Sequence, residues 1–305
     1  MTPLFKYRLT AMNLKAERKE IIIKGENFSY LSFNSKSPEN PIIFLHATGL
    51  NASTYIDFLS DLFKKFNGDR SIYFLDQRGH GLSKAKANYK KLRSWNTYAK
   101  DAISFIDELK VKACDVMGHS MGAIVAANIS NKRKNIKNLV MIEPVLFYKP
   151  SETLTLKYQR FFKIGESSDI SLSAAKRRSS FESFENAIDH FTGRAIFTNW
   201  PKESLENYLQ GGLKNVDEKM LLTCDPVWEA KTFQTVSYDT YKYLKKLNIP
   251  TYILRGSSET STFSDEAKES LDNNIKFKIE ELSGSHFLPI ENASIVSSKI
   301  YNFLD

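Results

Sequence analysis

Residues 114–129, CDVMGHSMGAIVAANI, carry the pattern that decides the fold. An apolar run enters Gly118-His119-Ser120-Met121-Gly122, and a segment rich in alanine, a strong helix former, leaves it. The order is strand, sharp turn, helix. A serine on such a turn is held with its hydroxyl exposed, and the small residues on either side let the backbone turn that tightly. The start of the helix then lies where a negative oxygen would develop during attack on an acyl carbon. A bare G-x-S-x-G match is a weak signal; the strand before it and the helix after it give it weight.

Outward from this turn, Pro41–Leu45 (PIIFL), Ile72–Leu75 (IYFL), Leu139–Ile142 (LVMI) and Thr251–Leu254 (TYIL) are short, largely apolar runs. Such runs suit strands of a parallel sheet covered on both faces. Between them, Thr54–Phe66 and Trp95–Leu109 repeat apolar residues at three- and four-residue spacings, as amphipathic helices do. Met121–Ile129, Ser264–Leu271 and Ile295–Leu304 complete the helices. Strands alternating with helices predict an α/β fold with a mostly parallel sheet. Glu20–Lys24 and Asn27–Phe33, joined at Gly25, predict a hairpin that adds an antiparallel edge. The alternation stops between about residues 147 and 236. That aromatic-rich stretch reads as helices only, around Leu156–Ile164, Ser173–Ser179, Ser183–Phe197 and Lys202–Leu213. The expected organisation is a core of residues 1–146 and 237–305, with a helical cap of residues 147–236 over the C-terminal edge of the sheet.

The chain has 305 residues, 42% hydrophobic and 26% charged, the balance of a soluble globular protein. Its net charge of +8 comes from lysines scattered along the chain rather than gathered in a nucleic-acid-binding module, so no nucleic-acid partner is expected. Two distant cysteines, Cys114 and Cys224, support neither a metal knuckle nor a disulfide framework. The first residues lack an apolar stretch long enough for a signal peptide, and the run Leu139–Phe147 is too short to span a bilayer. The expectation is a cytoplasmic protein with no membrane span, no metal and no organic cofactor. The sequence leaves its oligomeric state open.

Two further strand ends carry motifs: Leu45-His46-Ala47-Thr48-Gly49, and Asp76-Gln77-Arg78-Gly79-His80-Gly81-Leu82-Ser83. With Gly118-His119-Ser120-Met121-Gly122 these resemble the α/β-hydrolase superfamily, in its serine-nucleophile, esterase- and lipase-like branch. The resemblance covers about residues 20–145 and 248–304, and departs from the pattern at Ala47, where many relatives carry glycine. It implies Ser120 as nucleophile, with the amides of Met121 and Thr48 forming the oxyanion hole. It also implies a mainly structural loop at Asp76 and His80. Of five histidines, His286 lies in Gly284-Ser285-His286-Phe287, which matches the family's histidine loop and is placed to serve as general base. Glu259 stands three residues after Gly256, where relatives place the triad acid, and the order Ser120, Glu259, His286 is the one this fold uses. Asp265 and Glu143 remain as alternatives for the acid.

The function these residues imply is hydrolysis of carboxylic esters or lactones of small to medium apolar acyl substrates, through an acyl-enzyme. A serine nucleophile argues against relatives that use aspartate or cysteine. A carbon–carbon bond hydrolase, a cofactor-free haloperoxidase and a ligand-binding receptor on the same scaffold stand as alternatives.

Overall fold

Successive residues of the short apolar strands turn to opposite faces of one sheet, and each face is covered by helices. The computed structural model describes residues 16–35, 39–146, 169–236, 240–257, 259–271 and 275–305. In chain order the elements are β1 (Glu17–Ile23), β2 (Glu26–Phe33), β3 (Ile42–Leu45), α1 (Ile56–Lys65), β4 (Ile72–Leu75), α2 (Asn96–Glu108), β5 (Cys114–His119), α3 (Met121–Ser130) and β6 (Ile136–Ile142). Then come α4 (Asp169–Ala175), β7 (Ser180–Phe181), α5 (Phe184–Phe191), α6 (Lys202–Gly212), β8 (Leu213–Val216), β9 (Lys219–Leu222) and α7 (Pro226–Gln234). The chain closes with α8 (Thr240–Lys246), β10 (Thr251–Gly256), α9 (Asp265–Leu271), β11 (Phe277–Leu282), α10 (Leu288–Glu291) and α11 (Ala293–Leu304).

Eight strands form one sheet in the order β1-β2-β4-β3-β5-β6-β10-β11. From β4 to β11 neighbours run parallel, while β1 and β2 form an antiparallel hairpin at the edge. Ile42 and Phe44 face the side covered by α1 and α11, and Ile43 and Leu45 face the side covered by α2 and α3. Both pairs are fully buried, which is why β3 shows no polar alternation. Burial of each such side chain contributes about 1.5–3 kcal/mol relative to exposure. Because the strands are parallel, the last residues of β3, β5, β6 and β10 lie at a single edge, where the loops carrying the sequence motifs begin.

The insertion between β6 and β10 differs from the all-helical expectation. Besides α4 to α7 it holds an antiparallel sheet of order β7-β9-β8. Its hairpin turns at Asp217 and Glu218, with φ of 48° and 64°. That is the sign of a turn usually announced by Asn-Gly or Asp-Gly, and neither dipeptide is present. The expected helix at Leu156–Ile164 lies outside the described residues, as do Phe147, Tyr148, Phe161 and Phe162. The insertion docks onto the core through polar contacts: Asn51 Nδ2 donates to the Tyr208 carbonyl at 2.9 Å, Trp95 Nε1 to the Thr232 carbonyl at 2.9 Å, and Trp228 Nε1 to the Arg78 carbonyl at 3.2 Å.

Candidate active site

Ser120 sits between β5 and α3 with φ 54° and ψ −118°, a conformation that L residues adopt only under constraint. The constraint is visible on both sides. A Cβ on Gly118 would lie 2.2 Å from the Gly122 carbonyl oxygen, and one on Gly122 would lie 2.1 Å from the Leu45 carbonyl oxygen. Glycine at both positions is therefore what lets the first turn of α3 pass so close to the ends of β5 and β3. The Ser120 N–H donates to the Ile142 carbonyl at 2.9 Å, tying the turn to the end of β6.

The residue immediately after β6 is Glu143, also at positive φ (47°) and fully buried. Its Oε2 lies 3.0 Å from His286 Nδ1. The same carboxyl group accepts the Gly256 N–H and the Ser261 hydroxyl (2.9 Å) on Oε1, and the Thr262 N–H (3.0 Å) on Oε2. Thus the histidine expected from sequence meets a carboxyl group, but the one at its ring is Glu143. Glu259 is exposed, and Asp265 pairs with Arg255 at 2.5 Å. Residues 259–263 explain the difference: Ser261 and Thr262 turn inward onto Glu143, while Glu259 points to solvent.

On the third side of the turn, Thr48 Oγ1 contacts Met121 Sδ at 3.4 Å, so the two residues expected to supply oxyanion amides are neighbours. The loop bearing Thr48 is organised by His46, whose Nε2 accepts the Gln77 N–H at 2.9 Å. That leaves Nδ1 protonated to donate to the Ala47 carbonyl at 2.7 Å. Asp76, fully buried, accepts from Arg18 (2.6 Å) and from the Ala52 (2.8 Å) and Leu82 (3.0 Å) amides, and so knits three segments together beneath the site.

The comparisons agree with this architecture. The family described as serine aminopeptidase, S33, matches residues 36–186. An sn-1-specific diacylglycerol lipase, ABHD11, of Danio rerio is 25% identical over 118 residues, which are 38% of this chain and 35% of that protein. A probable alcohol acetyltransferase of Cyberlindnera fabianii is 33% identical over 89 residues, 29% of this chain and 23% of that protein. Among solved structures, an E-2-(acetamidomethylene)succinate hydrolase superposes with TM-score 0.75 at 19% identity, covering 95% of this chain and 99% of that one. The chain belongs to the α/β-hydrolase superfamily. The matches span about a third or less of those two curated relatives, and the structural likeness at such low identity speaks to the fold.

Within this α/β-hydrolase no group of three or more His, Cys, Asp or Glu among the described residues is placed to hold a metal ion. No helix among them is long and apolar enough to cross a membrane. Cys114 and Cys224 are free and buried.

Three buried histidines, His46, His80 and His119, give the fold's stability a pH signature. Burial lowers the pKa of His46 below its ordinary 6.5, pushes His80 down to about 3, and lowers His119 well below 6.5. Well above pH 6.5 each is neutral in the folded and unfolded chain alike. As pH falls through 6.5 the unfolded chain binds these protons and the folded one does not, so their contribution to stability is lost on acidification. The slope approaches about 1.4 kcal/mol per pH unit for each ring that stays neutral in the folded chain. Urea unfolding midpoints at pH 7.5, 6.5 and 5.5 are expected to fall slightly over the first step and more steeply over the second. Equal midpoints throughout would mean that the three rings are not held neutral.

Proposed function

We propose that this protein is a serine hydrolase that cleaves carboxylic esters or lactones of small to medium apolar acyl substrates through an acyl-enzyme. One observation carries the reading: a strained serine turn is hydrogen-bonded to the strand whose next residue, Glu143, holds His286. In this mechanism His286 Nε2 takes the Ser120 proton as Oγ attacks the acyl carbon. The Thr48 and Met121 N–H groups stabilise the oxyanion, each donor being worth about 3–4 kcal/mol. The imidazolium gives its proton to the leaving oxygen as the acyl–oxygen bond breaks. Water, deprotonated by His286, then releases the acid and restores Ser120. Glu143 takes the part of the triad acid in place of Glu259, fixing the His286 tautomer and stabilising the imidazolium.

The test is a fluorophosphonate probe on the purified protein, with the labelled peptide located at Ser120, followed by turnover of aryl esters and lactones of graded chain length. Lack of labelling and of turnover would refute the reading. A second reading keeps the acyl-enzyme and changes the acceptor from water to an alcohol. The similarity to a probable alcohol acetyltransferase favours it. Adding a primary alcohol to the assay separates the two, since only the second converts most of the acyl group to a new ester.

The insertion is proposed as a cap that sets acyl-length preference. Trp200 supports this, because its ring packs 5.6 Å from that of Phe287, the neighbour of His286, and 4.9 Å from that of Phe197. Pockets built this way are mostly apolar with few polar groups. Trp200→Ala is expected to raise the specificity constant for long acyl esters relative to short ones by roughly tenfold, since one methylene is worth about 1–3 kcal/mol. The ratio is measured on variants that melt cooperatively. If neither Trp200→Ala nor Phe197→Ala moves it, selectivity lies outside the insertion.

A further inference from the structure

The nucleophile turn carries a buried polar pair that the mechanism above leaves unused. Tyr55 lies in the short turn that leads into α1, and His119 is the last residue of β5, next to Ser120; both are fully buried. Tyr55 Oη lies 2.7 Å from His119 Nδ1, and His119 Nε2 lies 2.8 Å from the carbonyl oxygen of His286. On the other side, the Ala47 N–H donates to Tyr55 Oη at 3.2 Å.

Chemistry fixes the direction of every link. A carbonyl only accepts, so His119 Nε2 carries a hydrogen. Burial, reinforced by the nearby His286, keeps the His119 pKa well below 6.5, so the ring holds a single hydrogen and Nδ1 accepts. Burial pushes the Tyr55 phenol up, so it keeps its proton and donates it to Nδ1. Its oxygen is then left to accept the Ala47 N–H. The chain runs one way, from Ala47 N–H through Tyr55 and His119 to the His286 carbonyl, an arrangement in which each bond polarises the next.

We propose that Tyr55 and His119 are positioning residues that hold the Thr48 loop and the His286 backbone in register on either side of Ser120. This rests on the serine-hydrolase reading of the site. The two ends of the chain are the two parts that have to agree. Ala47 shares a planar peptide with the Thr48 N–H, and its carbonyl is already held by His46 Nδ1. With the Ala47 N–H held by Tyr55 as well, the Thr48 N–H is left one direction. At the far end, His286 is fixed at its ring by Glu143 and at its carbonyl by His119. Residues that only satisfied buried polar groups would have no reason to connect these two places.

The experiment begins with the wild-type protein, whose fluorophosphonate labelling at Ser120 and ester turnover establish the underlying reading. Tyr55→Phe then removes one oxygen and keeps the ring. His119→Leu removes both ring nitrogens, while His119→Gln keeps an amide N–H able to reach the His286 carbonyl. In folded protein, Tyr55→Phe and His119→Leu are expected to lower kcat and the labelling rate by about 10- to 100-fold, the size of effect expected when catalytic groups are misplaced by a fraction of an ångström to an ångström. KM is expected to stay within about twofold, because ground-state binding is untouched. His119→Gln is expected to recover part of the loss, and the Tyr55→Phe/His119→Leu double variant to lose no more than the worse single one. Turnover within about twofold of wild type in folded Tyr55→Phe, or losses that multiply in the double variant, would overturn the proposal. If the His119 variants do not fold, Tyr55→Phe with its active-site concentration titrated decides alone. A wild type that neither labels nor turns over esters overturns the hydrolase reading and this one with it; a labelled wild type with an undiminished Tyr55→Phe overturns this one only.

Discussion

Replacing Ser120 by alanine is expected to lower ester turnover by about 10⁴- to 10⁶-fold while leaving the fold intact. The size follows from the mechanism: without Oγ there is no covalent route, and what survives is the slow attack of water on a substrate held by the oxyanion donors. The fold should survive because what builds the turn is backbone. The Ser120 N–H still reaches the Ile142 carbonyl, and Gly118 and Gly122 still permit the close approach of α3 to β3. Alanine at φ 54° carries much the same strain as serine. The measurement pairs turnover and fluorophosphonate labelling with a thermal melt. A variant that melts like wild type and has lost both identifies Ser120 as the nucleophile. One that keeps near-wild-type turnover would end the serine-hydrolase reading.

Legibility in the sequence tracked burial and local geometry. Strands β3, β4, β5, β6 and β10 are covered on both faces, and each carries a short apolar stretch that could be read from the sequence. The Ser120 turn was legible because its geometry demands small residues at fixed spacing, and Gly118 and Gly122 supply them. β11 was not legible. It is the edge strand, FKIEEL, with no residue fully buried and charges at three of six positions. Charged side chains are how an edge discourages further pairing, and they erase the apolar signal that marks interior strands. The β7-β9-β8 sheet was missed for a related reason: its strands have two to four residues, and its hairpin turns on Asp217-Glu218 without glycine. The hydrogen-bonded chain through Tyr55 and His119 joins residues 47, 55, 119 and 286, and nothing in local spacing announces it.

The carboxyl group at His286 shows where spacing stops being informative. Glu259 stood at the expected distance after Gly256, but the structure turns that stretch the other way. Glu143→Gln is accordingly expected to lower kcat, by up to about 10³- to 10⁴-fold, the range seen when a triad acid becomes its amide and the histidine adopts the wrong tautomer. Two backbone donors make this sharp. The Gly256 N–H points at Oε1 and the Thr262 N–H at Oε2, so whichever oxygen becomes NH₂ faces a backbone donor it cannot accept. If the amide nitrogen turns toward Thr262 it also meets His286 Nδ1, and the ring answers by moving its hydrogen to Nε2, the nitrogen that has to receive the Ser120 proton. If it turns toward Gly256, catalysis fares better but that N–H is left unpaired. Either orientation leaves one buried donor unsatisfied, at a cost of about 1–3 kcal/mol of stability. Glu259→Gln is expected to leave kcat within about twofold, because the side chain is exposed. Asp265→Asn disturbs only an ion pair in which Asp265 is 80% exposed, which is worth little. Turnover, melting temperature and the pH dependence of kcat/KM, measured together on the three variants, separate the possibilities. A large loss in Glu259→Gln with Glu143→Gln nearly intact would return the acid's role to Glu259. It would also require residues 259–263 to rearrange during catalysis, so that the carboxylate now in solvent reached Nδ1 and Ser261 and Thr262 left Glu143.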